Sequence, residues 1–265
     1  MQHKGLEILV TNDDGFNSKG ITIIAELLSK WGNVTVLAPL EGQSGKSSAL
    51  TLDKPLRLNK RSTTIKENGN SITIYTLNGT PVDCVKMAMN EIYSTIKPNL
   101  LISGINHGSN ASIASTYSGT LGAAIEGTVY GIHSIGLSLD SHNADADFSP
   151  IKHYLDKILN NYFNFLPDKG IYLNINFPAI PVEDIKGIRF TPQGAGMWIN
   201  EFERRCDPRG ESYFWMSGEF LDLDVNAVGD HTLIKQGYIT IVPHKIDTTD
   251  YSTIDSLSKK WDLEK

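Results

Sequence analysis

Six short apolar runs constrain this chain more than any other feature: EILVTN at 7–12, VTVLAP at 34–39, NLLISGIN at 99–106, SIGLSLD at 134–140, IYLNINFP at 171–178 and YITIVP at 238–243. They are continuous rather than alternating. A strand with one wet face alternates apolar and polar residues, whereas one that is apolar throughout must be covered on both faces, as in a parallel sheet. Helical periodicity fills the gaps. Ile21, Ile24, Leu28 and Trp31 share a stripe, with Gly32 as the expected stop. Thr80 is an N-cap candidate, with Pro81 at the first helical position and Asp83 at the third, ahead of the stripe Val82, Val85, Met89, Ile92 and Ile96. A third helix is expected from about Thr120 through LGAAIEGTVYG, and a fourth from Ser149-Pro150 with Ile151, Tyr154, Leu155, Ile158 and Tyr162 facing inward. Strands alternating with helices imply a three-layer α/β fold with right-handed crossovers.

Two segments break the rhythm. Residues 55–77 hold two β-rich runs around Asn68-Gly69, a hairpin signal. Residues 191–235 are rich in glycine, aromatics and charge and read as an excursion from the sheet. The expected organisation is a core over 1–190 and a C-terminal extension over 191–265 that contains this β-rich excursion, the last strand and a tail. The extension interleaves Trp198, Trp215, Trp261, Phe202, Tyr213, Phe214 and Phe220 with Arg204, Arg205, Asp207 and Arg209, a composition typical of interfaces.

Composition excludes several functions. A net charge of −6 and a pI near 5.6 argue against a nucleic-acid surface, and duplex binding is not expected. No apolar run approaches the ~20 residues of a membrane span. The segment from Met1 to Glu7 lacks the apolar stretch of a signal peptide. Two cysteines, Cys84 and Cys206, make no disulfide framework, so a cytoplasmic location is expected.

In open α/β sheets, ligands bind beyond the carboxyl ends of the strands. Asn12-Asp13-Asp14-Gly15 follows the first run, Gly42-Gln43-Ser44-Gly45-Lys46-Ser47 the second, and Gly104-Ile105-Asn106-His107-Gly108-Ser109-Asn110 the third. Adjacent carboxylates at a buried strand end repel each other unless a cation or proton offsets the charge; alternatively one caps the next helix and the other faces water. With Ser44 and Asn106, Asp13 and Asp14 make an all-oxygen shell suited to one Mg²⁺ or Mn²⁺ ion per subunit. The turn Ser118-Gly119-Thr120 at a helix start is an anion site in waiting, or an ordinary cap at Thr120, and Asn110 is a further donor to phosphate.

Other patterns fall short. Gly45-Lys46-Ser47 resembles the end of a P-loop, but position 40 is Leu40 where that motif needs glycine. Asp222, Asp224 and Asn226 imitate a calcium loop, yet Ala227 and Leu233 stand where glycine and glutamate are required, so turn and surface roles are expected. His107 could serve as an acid or base, although a solvent-facing or loop-packing role is preferred, and Cys84 is expected in the core.

The motifs LVTNDDGFNSKGI at 9–21, VLAPLEGQSGKSSALT at 36–51, GTPVDCV at 79–85, SGINHGSN at 103–110, YSGTLGAAIEG at 117–127, LNINFP at 173–178 and GYITIVPHKIDTT at 237–249 occur in this order over nearly the whole chain. On these the sequence resembles the SurE family of stationary-phase survival proteins, metal-dependent 5′/3′-nucleotidases. Two places depart from the family pattern: ASIAST at 111–116 is longer and more polar than the usual link, and Val242-Pro243-His244 stands where Thr-Pro-Leu is usual.

The resemblance implies a Rossmann-like core with C-terminal segments exchanged between subunits of a homodimer or homotetramer. It also implies metal ligands at Asp13, Asp14, Ser44 and Asn106, with Asp13, Asp14 and Asn106 as the catalytic set. Phosphate contacts are implied at Asn110, Ser118, Gly119 and Thr120, with Gly45 and Asn12 close by. The expected activity is hydrolysis of nucleoside monophosphates by metal-activated water. Two alternatives stay open: a regulatory module that binds Mg²⁺-phosphate without turnover, and a P-loop-like NTPase using Lys46.

Overall fold

The computed structural model describes residues 5–143 and 145–261, and the expectations placed on residues 1–4 and on the tail beyond 261 lie outside these. In chain order the first half runs β1 (Leu6–Thr11), α1 (Lys19–Leu28), β2 (Gly32–Pro39), β3 (Leu58–Ile65), β4 (Ser71–Leu77), α2 (Pro81–Met87) and β5 (Leu100–His107). It continues with α3 (Gly119–Val129), β6 (His133–Asp140), α4 (Ser149–Asn164), β7 (Ile171–Pro178) and β8 (Gly187–Phe190). The remainder is β9 (Gly196–Ile199), β10 (Phe202–Cys206), β11 (Ser212–Met216), β12 (Glu219–Asp222), α5 (Asp230–Lys235), β13 (Tyr238–Lys245) and α6 (Tyr251–Ser258).

Nine strands form one sheet in the order β3-β4-β2-β1-β5-β6-β7-β13-β8. All neighbours are parallel except β3 with β4 and β13 with β7. The six apolar runs are β1, β2, β5, β6, β7 and β13. Their continuous burial has the expected cause: along β1, Ile8 and Val10 enter a core cluster that includes residues of α1 and α4, while Leu9 enters another with Cys84 and Val85 of α2. Both faces of the sheet are therefore covered by helices, and the fold has three layers.

The sheet order reverses at β1. From there the chain moves outward through β2 and β4, and β5, β6 and β7 are added on the opposite side. The crevice beyond the carboxyl ends of β1 and β5 is thus the topological switch point, where open α/β sheets bind ligands.

Three local expectations differ from the structure. Gly32 does not stop α1. The helix ends at Leu28, and Gly32 begins β2, where a Cβ would lie 2.0 Å from the Leu6 carbonyl oxygen. Ile96 lies beyond the helical stretch and is 72% exposed, because α2 passes into one π-helical turn, Ala88–Ile92, and stops. Ser118, not Thr120, caps α3: its side chain accepts from the Leu121 N–H at 3.0 Å. The capping box at Thr80 and Asp83 is present in both directions, at 3.1 and 2.9 Å.

The hairpin around Asn68-Gly69 is β3–β4, and β4 also lies parallel to β2, which extends the main sheet. The excursion pairs β9 with β12 and β10 with β11 as two small ribbons. The chain then returns through α5 to place β13 inside the main sheet, between β7 and β8.

Candidate active site

Asp13 lies two residues past the end of β1 and is buried beneath the first turn of α3. Thr120 donates its hydroxyl to Asp13 Oδ1 at 2.5 Å. Gly119 permits this approach, since a Cβ there would lie 2.9 Å from Asp13 Cβ. Desolvation pushes the Asp13 carboxyl up from 3.8 to about 6; the Thr120 hydrogen bond opposes this and the neighbouring Asp14 charge adds to it. The positive end of α3 faces this carboxylate, and the N–H groups of Gly119 and Thr120 have no partners within the helix.

Asp14 is held from β5. The His107 backbone N–H donates to Asp14 Oδ2 at 3.1 Å, and His107 Nδ1 lies 3.2 Å from the same oxygen. Asn106, the preceding residue, donates its amide to the Gly108 carbonyl at 2.7 Å, which leaves its Oδ1 as an acceptor. The loop after β2 is tied to the pair through backbone: Gln43 N–H donates to the Asp13 carbonyl at 2.7 Å. Ser44 and Gly45 follow in this exposed turn, where Gly45 has φ +71°. No helix follows Lys46, so the loop lacks the helix N-terminus that a P-loop requires.

Asn12 donates its amide to the Gly15 carbonyl at 2.9 Å and to Ser18 Oγ at 2.8 Å, while its own Oδ1 is buried without a partner. That orphaned oxygen and the costly Asp13 carboxylate lie on one tripeptide. Two carboxylates, amide oxygens and a nearby hydroxyl are hard donors, and the set fits a small divalent cation.

Asn110 is built into a buried amide network. Its N–H donates to Asn176 Oδ1 at 2.8 Å, its side chain donates to Ser138 Oγ at 2.9 Å, and its carbonyl accepts from Asn174 at 2.9 Å. Asn176 in turn donates to Asn174 Oδ1 at 3.0 Å. Asn174 and Asn176 drew no role from the sequence beyond their motif. Their signal was present nonetheless: two amides at strand spacing inside a doubly buried strand must find partners.

Asp230 was also missed. It is fully buried and accepts the backbone N–H of Ser112 at 3.0 Å, of Gly194 at 2.9 Å and of His231 at 2.9 Å. This joins the polar link ASIAST, most of which forms a 3₁₀ turn at Ser112–Tyr117, to the start of the excursion. At the other departure from the pattern, His244 stacks on Tyr172 with centroids 5.2 Å apart. The calcium-like stretch is closed on itself, with Asp222 Oδ1 2.9 Å from His231 Nε2 and Asp224 accepting from Gly229 N–H. Cys84 is in the core as expected. An apolar cavity of about 760 Å³ lies between α4 and β8 and is lined by none of the site residues.

Fold and site together define a class: an α/β protein with a doubly covered, mostly parallel sheet, whose switch point carries a pair of carboxylates beside a helix N-terminus. The comparisons narrow it. A family model described as Survival protein SurE matches residues 8–200, and the chain belongs to that family. It is 44% identical to the 5′-nucleotidase SurE of Flavobacterium psychrophilum, over 97% of this chain and 98% of that protein. With the 5′-nucleotidase SurE of a Thermoanaerobacter species it shares 39% identity, over 98% and 99% of the two chains. The crystal structure of the SurE protein from Aquifex aeolicus superposes with a TM-score of 0.80 at 32% identity, covering 97% of this chain and all of that one.

Proposed function

We propose that this chain is a metal-dependent 5′-nucleotidase that hydrolyses nucleoside monophosphates, with activity on 3′-monophosphates as well. The observation that carries the reading is the Asp13–Asp14 pair, with Asp13 buried against the first turn of α3. Asp13, Asp14, Asn106 and Ser44 hold Mg²⁺ or Mn²⁺. When bound, the cation supplies Lewis acidity and lowers the pKa of a water molecule. The α3 N–H groups and Asn110 then bind the non-bridging phosphate oxygens, as preorganised donors aimed at developing charge. The Asn174–Asn176 network keeps Asn110 in place for this. No covalent intermediate on a side chain is invoked.

Phosphate release from a panel of 5′- and 3′-nucleotides tests the reading. Turnover of monophosphates should vanish in EDTA and return with Mg²⁺ or Mn²⁺. Full activity after chelation would remove the metal from the mechanism, and binding without turnover would leave only a regulatory module. Strict use of triphosphates would instead support chemistry at Lys46. Ser44→Ala should accordingly lower kcat/KM far more than Lys46→Ala, and the reverse order would revive that alternative.

The assembly proposed is a homodimer or homotetramer formed through residues 191–265. No residue of α6 is buried, and Tyr251, Ile254, Leu257 and Trp261 are all partly or largely exposed. On the β10–β11 ribbon, Phe202, Phe214, Trp215 and Met216 are likewise exposed. Apolar surface of this extent is usually covered by a partner. Light scattering should show an oligomer at micromolar concentration, and truncation before Met197 should give monomers or insoluble protein. A monomeric full-length chain would overturn the assembly. Among the described residues, no helix is long and apolar enough to cross a membrane.

A further inference from the structure

We propose that His107 is a positioning residue for the cation site: its ring holds Asp14 in the rotamer that ligation requires. The inference rests on the reading of Asp14 as a metal ligand. Asp14 Oδ2 receives the backbone N–H of His107 at 3.1 Å and lies 3.2 Å from its ring Nδ1, which donates when it carries a proton. Both side chains are largely buried, at 17% and 18% exposure, so the contact is poorly screened by solvent. The ring is itself braced. Phe148, at the foot of α4, meets it edge-on with centroids 5.4 Å apart and an interplanar angle of 84°, and Phe148 is only 4% exposed.

The backbone donor alone would fix one oxygen while leaving the carboxylate plane free to turn. A second donor from a braced ring restricts that freedom. With Oδ2 occupied by two donors, Oδ1 is left for the cation. The ordering cost of ligation is then met during folding rather than at binding. This reverses the common arrangement in which a carboxylate orients a ligating histidine, yet it has the same physical content: outer groups set the affinity of the inner ones. The role needs only a proton on Nδ1, which both the imidazolium and the neutral Nδ1–H tautomer carry. Position 107 thereby joins two segments in one device, since β5 supplies Asn106 as a ligand and the adjacent residue steadies a ligand from the loop after β1.

The test is Mn²⁺ titration of the metal-free, full-length protein by calorimetry, with the Mn²⁺ dependence of phosphate release as a second readout. His107→Phe keeps the packing against Phe148 and removes the donor; it should weaken Mn²⁺ binding by about 10- to 100-fold, the usual cost of losing an outer-shell partner. His107→Asn places an amide donor near the position of Nδ1 and should recover most of that loss. His107→Ala carries the same expectation as His107→Phe if the phenyl group disturbs folding, with thermal unfolding as the check. Mn²⁺ affinity equal to the parent in the donor-free variant overturns the inference, as does a loss that asparagine fails to recover. Asp14→Asn separates the two levels. If it abolishes Mn²⁺ binding while His107→Phe does not, only the positioning role fails; if it binds Mn²⁺ like the parent, the ligand reading fails with it.

Discussion

Asp13→Asn is expected to abolish phosphate release, by roughly 1,000-fold or more, while leaving the metal-free protein at least as stable as its parent. A ligand loss that removes several kcal/mol of Lewis-acid stabilisation reaches that factor, because each ~1.4 kcal/mol is tenfold in rate. The stability half of the expectation comes from burial. Asp13 is 4% exposed and its carboxyl is pushed up to about 6, chiefly by desolvation, so above that pH the folded protein carries a destabilising charge. Asparagine removes the charge and keeps an oxygen to accept the Thr120 hydroxyl. Thermal unfolding with and without Mn²⁺ checks this directly: Mn²⁺ should raise the melting temperature of the parent and not that of the variant. Parental turnover in Asp13→Asn would reduce the acidic pair to a capping role.

The second large effect falls on stability. Asp230 is fully buried and serves three backbone donors, two of them in segments 36 and 118 residues away in sequence. Asp230→Ala strands at least two buried N–H groups, each costing about 1–3 kcal/mol. The expected loss is about 3–5 kcal/mol, or a melting temperature lower by roughly 10 °C in a chain of this size. Asp230→Asn keeps one acceptor and should cost less. Because Ser112 begins the turn that leads to Ser118 and α3, the alanine variant should also raise KM for the nucleotide. An unchanged melting temperature would mean that the extension is held to the core by other contacts.

The acidic pair and Asn106 were legible because each sits at or just past the end of one strand, whereas the Ser118–Thr120 turn was legible as a helix start. Burial of whole strands is written in composition, and the polar residues that follow must lie at the carboxyl edge. For the same reason Asn12, Asp13, Asp14 and Asn106 could be placed at one edge of the sheet in advance, and the loop that carries Ser44 is tied to Asp13 through the backbone of Gln43. The sequence favours a solvent-facing or loop-packing His107, and the side chain is in fact largely buried. Its ring does pack on Phe148, but it also reaches Asp14, and nothing in the linear order reports a contact 93 residues long. Thr120 illustrates the limit at short range. Its helix was placed within one or two residues, yet Ser118 caps it, and the Thr120 hydroxyl goes to Asp13, 107 residues away in sequence.

Period, capping and continuous apolar runs were enough to specify the three-layer α/β fold, the main strands and the edge of the sheet where the acidic pair lies. These are local properties: they follow from which faces of a segment can tolerate water. The tertiary structure alone decided that β4 joins the sheet beside β2, that β13 returns between β7 and β8, and that Asp230, Asn174 and Asn176 tie distant loops to the site. A buried carboxylate or amide satisfies its hydrogen bonds with whichever backbone the packed chain brings near. Its partners are therefore a property of the three-dimensional arrangement, and they exist only once the sheet has assembled.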